Sequence, residues 1–168
     1  MREIKILLKQ IAPYALPIIG CLFSGWGGAL LQQEALLEWY PSLSKSPLTP
    51  PSIVFPIAWS ILYVLIGIAF GAVWNLEVKR RKYLLIRWGV QFALNFLWSV
   101  SFFYGRSPRI GMLVILALCI SVISFTLKAY RDSRIAFWCF IPYLLWVTFA
   151  TYLNLYICPV SYTHLRAH

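Results

Sequence analysis

From Ile53 to Trp74, from Ile110 to Leu127 and from Ala136 to Cys158 the chain carries no charged side chain. An α-helix needs about 20 apolar residues to cross the hydrocarbon core of a bilayer. A transmembrane barrel would instead show strands of about ten residues with alternating polarity, and these runs are continuously apolar. Two more stretches complete the pattern. The expected spans are therefore residues 13–31, 53–74, 84–103, 110–127 and 136–158. The reading is an all-α integral membrane protein, a single five-helix transmembrane domain over residues 1–159.

Composition agrees. Charged residues make up 12% of the 168 positions and hydrophobic ones 61%. A soluble domain needs about 25% charged residues to solvate its surface, so lipid must serve as solvent for much of this chain. The formal charge of +10 does not point to nucleic acid, because the basic residues flank apolar runs rather than forming a face on a soluble fold. Cys21, Cys119, Cys139 and Cys158 lie within apolar segments and read as small buried hydrophobes. No metal site is expected.

The basic residues also give an orientation. Arg2, Lys5, Lys9, Lys79, Arg80, Arg81, Lys82, Arg87, Lys128, Arg131 and Arg134 fall on one side of a five-span arrangement. Lys45, Arg106, Arg109 and Arg166 fall on the other. The positive-inside rule then places the N-terminus in the cytoplasm and the first loop outside, most simply in a bacterial cytoplasmic membrane. The first span lacks a small-residue cleavage site and reads as a retained helix, with Pro13 in its first turn and Pro17 as a bend. The connection from Gln32 to Ser52 is long for a link in so small a bundle, and it is Pro-rich, which suggests a lid. Residues 160–168 (VSYTHLRAH) differ in character from the rest, resemble cloning-derived read-through, and are set aside as a non-native tail.

Few groups could carry acid–base chemistry. All five acids (Glu3, Glu34, Glu38, Glu77, Asp132) lie outside the spans, and both histidines fall in the tail. An ion-coupled carrier usually places an ionisable group at membrane depth. What remains is aromatic and neutral polar. Gln91, Asn95, Trp98 and Phe102 share one helical face, as do Phe55, Trp59 and Tyr63, and again Tyr143, Trp146, Ala150, Leu153 and Asn154. Trp26, Trp74, Trp88 and Trp138 suit interfacial anchors, whereas Trp59, Trp98 and Trp146 sit deeper. Two readings stay open for these stripes: interhelical packing with amide hydrogen bonds, or a pocket of flat π-surfaces with amide handles for a large planar ligand. Gly20, Ser24 and Gly28 repeat every four residues, as do Gly67 and Gly71, and suit close helix contact within the bundle or between subunits.

Taken in order, these motifs resemble the tryptophan-rich sensory protein/translocator protein family (TspO/MBR), formerly called peripheral benzodiazepine receptors. The first loop has Trp39, Tyr40, Leu43, Lys45, Thr49, Pro50 and Pro51 on the family pattern WY-x-x-L-x-K-P-x-W-x-P-P. Phe55, Pro56, Trp59, Leu62 and Tyr63 follow, then Gln91, Ala93, Leu94, Asn95, Trp98, Phe102 and Phe103. The last set is Pro142, Tyr143, Trp146, Phe149, Ala150, Leu153 and Asn154. Leu48 replaces the loop's second Trp, and Pro47 displaces its first Pro. Met112 and Leu116 stand where many relatives carry an aromatic and an acid.

The resemblance implies five transmembrane helices, commonly as a homodimer, and a pocket within each bundle closed by the first loop. It implies a receptor or sensor for porphyrins such as protoporphyrin IX or haem, or for sterols, with no cofactor required and membrane lipid as surroundings. Its ligand-contacting positions would be Trp39, Pro50, Pro51, Phe55, Trp59, Tyr63, Asn95, Trp98, Tyr143, Trp146, Ala150, Leu153 and Asn154, with Gly20, Ser24 and Gly28 in packing or dimerisation. Two alternatives accompany it: a light-dependent porphyrin-degrading enzyme with Trp59 and Trp146 as the involved residues, and a passive tetrapyrrole or sterol translocator.

Overall fold

The computed structural model describes the backbone of residues 2–165, and the side chains within it except those of Arg2, Lys5, Leu8 and residues 159–165. The described residues form five long helices and no strand: α1 (Arg2–Glu34), α2 (Val54–Trp74), α3 (Val78–Ser99), α4 (Pro108–Asp132) and α5 (Arg134–Leu165). The tail singled out above lies, for its side chains, outside the described residues.

Helix α1 starts well before the expected position 13, so Pro13 and Pro17 are both interior. A proline has no N–H to give, so Pro17 leaves the carbonyl of Pro13 without its helical donor. That carbonyl faces Gly71 of α2, where a Cβ would sit 2.7 Å from it. One turn on, a Cβ at Gly67 would meet the Ile18 Cα at 2.5 Å. These two glycines let α1 and α2 lie backbone against backbone, which is how helices associate when lipid removes the hydrophobic drive between them. Asn75 Nδ2 donates to the Tyr14 hydroxyl at 3.3 Å and fastens the same end.

The supposed loop is mostly not a loop. After α1 the chain continues through a wide turn (Ala35–Trp39), closed by the Tyr40 N–H on the Ala35 carbonyl, and a tight turn (Tyr40–Ser42). Only about Leu43 to Ile53 is extended or irregular. A second wide turn (Val100–Tyr104) ends α3, with the Gly105 N–H reaching the Val100 carbonyl at 2.8 Å. Arg106, at φ 47°, reverses the chain into α4 and pairs with Glu34 at 2.5 Å.

Around the bundle α1 packs on α2, α2 on α5, α5 on α4 and α4 on α3, with thinner contact from α3 back to α2 and α1. The α4–α5 seam is aromatic and aliphatic, with Phe125 and Phe140 ring centroids 3.9 Å apart. Outside, large apolar side chains such as Leu16, Phe23, Leu113, Ile120 and Leu145 are exposed, as a lipid-solvated surface requires.

Four helical segments are long and apolar enough to cross a membrane: Lys9–Ser42, Val54–Trp74, Pro108–Asp132 and Arg134–Cys158. The protein is thus a helical membrane protein. Helix α3 forms but falls outside that set; its first turns carry Lys79, Arg80, Arg81 and Lys82, with Arg87, Gln91 and Asn95 further in. Of the five expected spans, four are thus apolar enough to cross a membrane by length and composition, and α3 is the fifth long helix, with a basic first half.

Candidate functional site: an aromatic wall with amide handles

Trp59 is the hub. Its ring lies 5.6 Å from Tyr63, 6.1 Å from Trp98, 6.4 Å from Tyr143 and 6.4 Å from Trp146, centroid to centroid. These rings come from α2, α3 and α5, and Phe55 joins against Trp146 at 6.0 Å. Trp59 and Trp146 are half-buried, Trp98 and Tyr143 buried. The stripes on the three helices therefore converge, as helical spacing alone could not decide.

An amide sits at the centre. The Tyr63 hydroxyl donates to Asn95 Oδ1 at 3.3 Å, and Asn95 Nδ2 donates to the Tyr143 hydroxyl at 3.0 Å. The relay ties α2, α3 and α5 together and satisfies the buried Asn95 amide and Tyr143 hydroxyl along with the half-buried Tyr63 hydroxyl. Other polar atoms on the same stripes have no protein partner. They are the Trp98 Nε1, the Asn154 Oδ1 and both amide atoms of Gln91, whose side chain is 0% exposed. A buried donor or acceptor left unpaired costs about 1–3 kcal/mol. These atoms therefore represent hydrogen-bonding capacity within an otherwise apolar environment.

Gly25, which the four-residue repeat on α1 passes over, makes room for the wall. A Cβ there would collide with the Tyr63 ring. Of the repeat itself, Gly20 meets nothing within 4 Å, while a Cβ on Gly28 would lie 3.4 Å from Gln32 Nε2 and 3.8 Å from Ser99 Oγ. Gln32 donates to Ser99, a short contact closing α1 on α3.

The first loop is tied down at points the sequence did not advertise. Trp39 packs edge-on against Phe102 at 5.5 Å, and Tyr40 against Phe103 at 5.7 Å; both phenylalanines contact Trp98. Trp39 thus reaches the wall through Phe102. Buried Ser46 Oγ lies 3.0 Å from the Tyr152 hydroxyl of α5, and Lys45 donates to the Tyr40 carbonyl at 3.2 Å with its ammonium over the Tyr40 ring. Tyr152 lies just off the α5 stripe, so periodicity gave no signal for it. Pro51 is exposed, and its carbonyl accepts from the Val54 N–H at 2.9 Å, starting α2; Pro50 is half-buried. On α5, Leu153 is buried, and the half-buried Ala150 gives its carbonyl to Asn154 Nδ2 at 3.2 Å. Of the outer tryptophans, Trp26, Trp74 and Trp138 are exposed. Trp88 is half-buried instead. It donates from Nε1 to the Ile66 carbonyl at 3.0 Å and stacks on Phe92, a packing role rather than an anchor.

This geometry bears on the planar ligand expected above. Trp59 and Trp146 stand at 87° to one another. Sandwiching a flat molecule needs two parallel rings about 7 Å apart, twice the van der Waals spacing. Rings set at 87° cannot clamp a flat molecule face-on from both sides.

Residues 17–159 match the TspO/MBR family. The chain is 35% identical to a tryptophan-rich protein TspO of Chlorobaculum tepidum over 91% of this chain and 98% of that protein. It is 35% identical to a tryptophan-rich sensory protein of Cereibacter sphaeroides over 76% of this chain and 77% of that one. To the human translocator protein it is 29% identical, over 82% and 81%. Converging aromatic stripes, an amide relay and a match across most of the chain lead to one conclusion: the chain belongs to the TspO/MBR family.

Proposed function

We propose that the protein is a membrane receptor or sensor that takes a porphyrin such as protoporphyrin IX, or a similarly flat apolar ligand such as a sterol, against the Trp59 wall, with the first loop as lid. The observation that carries this reading is the juxtaposition of Trp59, Tyr63, Trp98, Tyr143 and Trp146 around the Asn95 relay. Packing alone does not call for unpaired Trp98 Nε1 and Asn154 Oδ1, whereas a ligand with peripheral acceptors and donors would use them. The names sensory protein and translocator protein carried by relatives suit a site that captures a membrane-soluble molecule.

In this reading α3 is the fifth span, its basic half reaching the headgroups. The N-terminus is cytoplasmic and the lid lies outside. Two copies associate as a homodimer, for which the exposed Gly20 region of α1 offers an uncovered surface. The test is a tryptophan-fluorescence titration with protoporphyrin IX in detergent, dark and illuminated. Saturable quenching that survives in the dark supports a receptor. Absence of saturable quenching overturns the proposal, and loss of porphyrin absorbance only under light moves it to the enzymatic alternative.

A further inference from the structure

We propose that the α3–α4 seam around Arg87 is a seat for the phosphate of an anionic phospholipid. Arg87 is an unusual group for its position. It lies five residues inside Lys82, about 7.5 Å further along the axis at 1.5 Å per residue, and it is half-buried. Its Nε donates to Ser124 Oγ at 3.0 Å, and Ser124 belongs to an apolar span, Pro108–Asp132. Exposed Ile86, Val90, Ile120, Ile123 and Leu127 flank the pair. The guanidinium is therefore held at the edge of the hydrocarbon, where an unpaired charge is expensive and must find an anion or snorkel to one.

Such an anion is not supplied from within the described residues. The ion pairs among them are Arg106–Glu34 and Lys128–Asp132, and neither engages Arg87. The hydroxyl of Ser124 satisfies one N–H of a fork that has five, leaving the guanidinium edge for a bidentate acceptor such as a phosphate diester.

Helical spacing puts more cations on the two faces that meet at this pair. On α4, Ser124, Lys128 and Arg131 fall at i, i+4 and i+7; on α3, Arg80 and Arg87 fall at i and i+7. The two helices pack against each other, so the stripes run side by side toward the helix ends. Lys128 is paired with Asp132 at 2.9 Å, which leaves Arg80, Arg87 and Arg131 to set the charge. Exposed Tyr83 and Tyr130 sit among them, with Arg134 over the Tyr130 ring at 4.7 Å. Basic pockets between spans, at headgroup level and rimmed by aromatics, select anionic headgroups. Acyl chains would then lie along the exposed aliphatic side chains of α3 and α4. The seat is separate from the aromatic wall and stands whether or not porphyrin binds there.

The test is native mass spectrometry of the full chain in mild detergent, with equimolar phosphatidylglycerol and phosphatidylcholine added. The wild type should retain phosphatidylglycerol preferentially. Arg87→Gln should lower that preference about fivefold or more, the size expected for one lost basic contact, and Arg87→Lys should keep part of it. Arg131→Gln, on the other helix and exposed, gives the same reading should Arg87→Gln fold poorly. Excess inorganic phosphate should leave lipid retention unchanged, because it brings no acyl chains. Equal retention of the two lipids by the wild type, undiminished preference in both glutamine variants, or displacement by inorganic phosphate overturns the proposal.

Discussion

Trp59 and Trp146 meet edge to face, their centroids 6.4 Å apart and their planes at 87°. This arrangement suits the quadrupoles of the two rings, and it makes them unequal toward any flat molecule, since only one can offer its face. Trp59 also touches Tyr63, Trp98 and Tyr143, so its removal opens the wall, whereas Trp146 borders Phe55 and Phe149 at the rim. Trp59→Ala and Trp146→Ala should each weaken protoporphyrin IX binding by about tenfold or more, since roughly 1.4 kcal/mol is one decade. Trp59→Ala should additionally lower the melting temperature the more. Trp74→Ala, on an exposed ring, should bind as wild type. Unchanged affinity in both folded alanine variants would make the wall a packing seam. If light-driven loss of porphyrin occurs, Trp59→Phe or Trp146→Phe should slow it while sparing binding.

The first loop is held to α5 by a hydroxyl pair. Ser46 Oγ and the Tyr152 hydroxyl lie 3.0 Å apart, and Ser46 Oγ also accepts from the Leu48 N–H at 3.1 Å. Tyr152→Phe removes only the first of these and should cost about 0.5–1.5 kcal/mol of the loop's anchoring. Hydrogen exchange over residues 43–53 should quicken by about three- to tenfold while α2 and α5 exchange as before. Unaltered exchange in that segment would show that the loop is held by Trp39 and Tyr40 alone.

Close helix contact is concentrated at Gly67, where an added Cβ would lie 2.5 Å from the Ile18 backbone, and is absent at Gly20. Gly67→Ala should therefore destabilise by about 1–3 kcal/mol, the cost of overpacking, read as a lower melting temperature in detergent. Gly20→Ala should be silent within one subunit. Gly28→Leu should disturb the Gln32–Ser99 contact; a detergent-resistant oligomer lost with Gly20→Leu but kept with Gly28→Leu would locate the subunit contact near Gly20. Equal melting of Gly67→Ala and wild type would contradict the α1–α2 account.

For topology, cysteines placed at Ser44 and Lys82 should label differently in intact cells. The basic asymmetry between the two ends predicts modification of position 44 only by an impermeant reagent. Labelling of position 82 alone would invert the orientation, and with it the side that the first loop faces.

That this chain lives in lipid as helices was legible from its residues in order. Uninterrupted apolar runs are a one-dimensional property, and the energetic demand that backbone groups be satisfied in hydrocarbon leaves little else for them to form. Spacing likewise settles which residues share a helical face, so Trp59, Asn95, Trp98, Tyr143 and Trp146 could be named from it. What spacing does not contain is the rotation of each helix about its axis and its pairing with neighbours. Packing in three dimensions turned three stripes toward one another around Asn95, chose Gly25 rather than Gly20 to admit the Tyr63 ring, and pulled Trp88 inward onto the Ile66 carbonyl. The same holds for the first loop: two wide or tight turns extend α1 toward Ser42, and the latch to Tyr152 joins residues 106 positions apart. Such contacts depend on packing between distant segments, which no local pattern encodes.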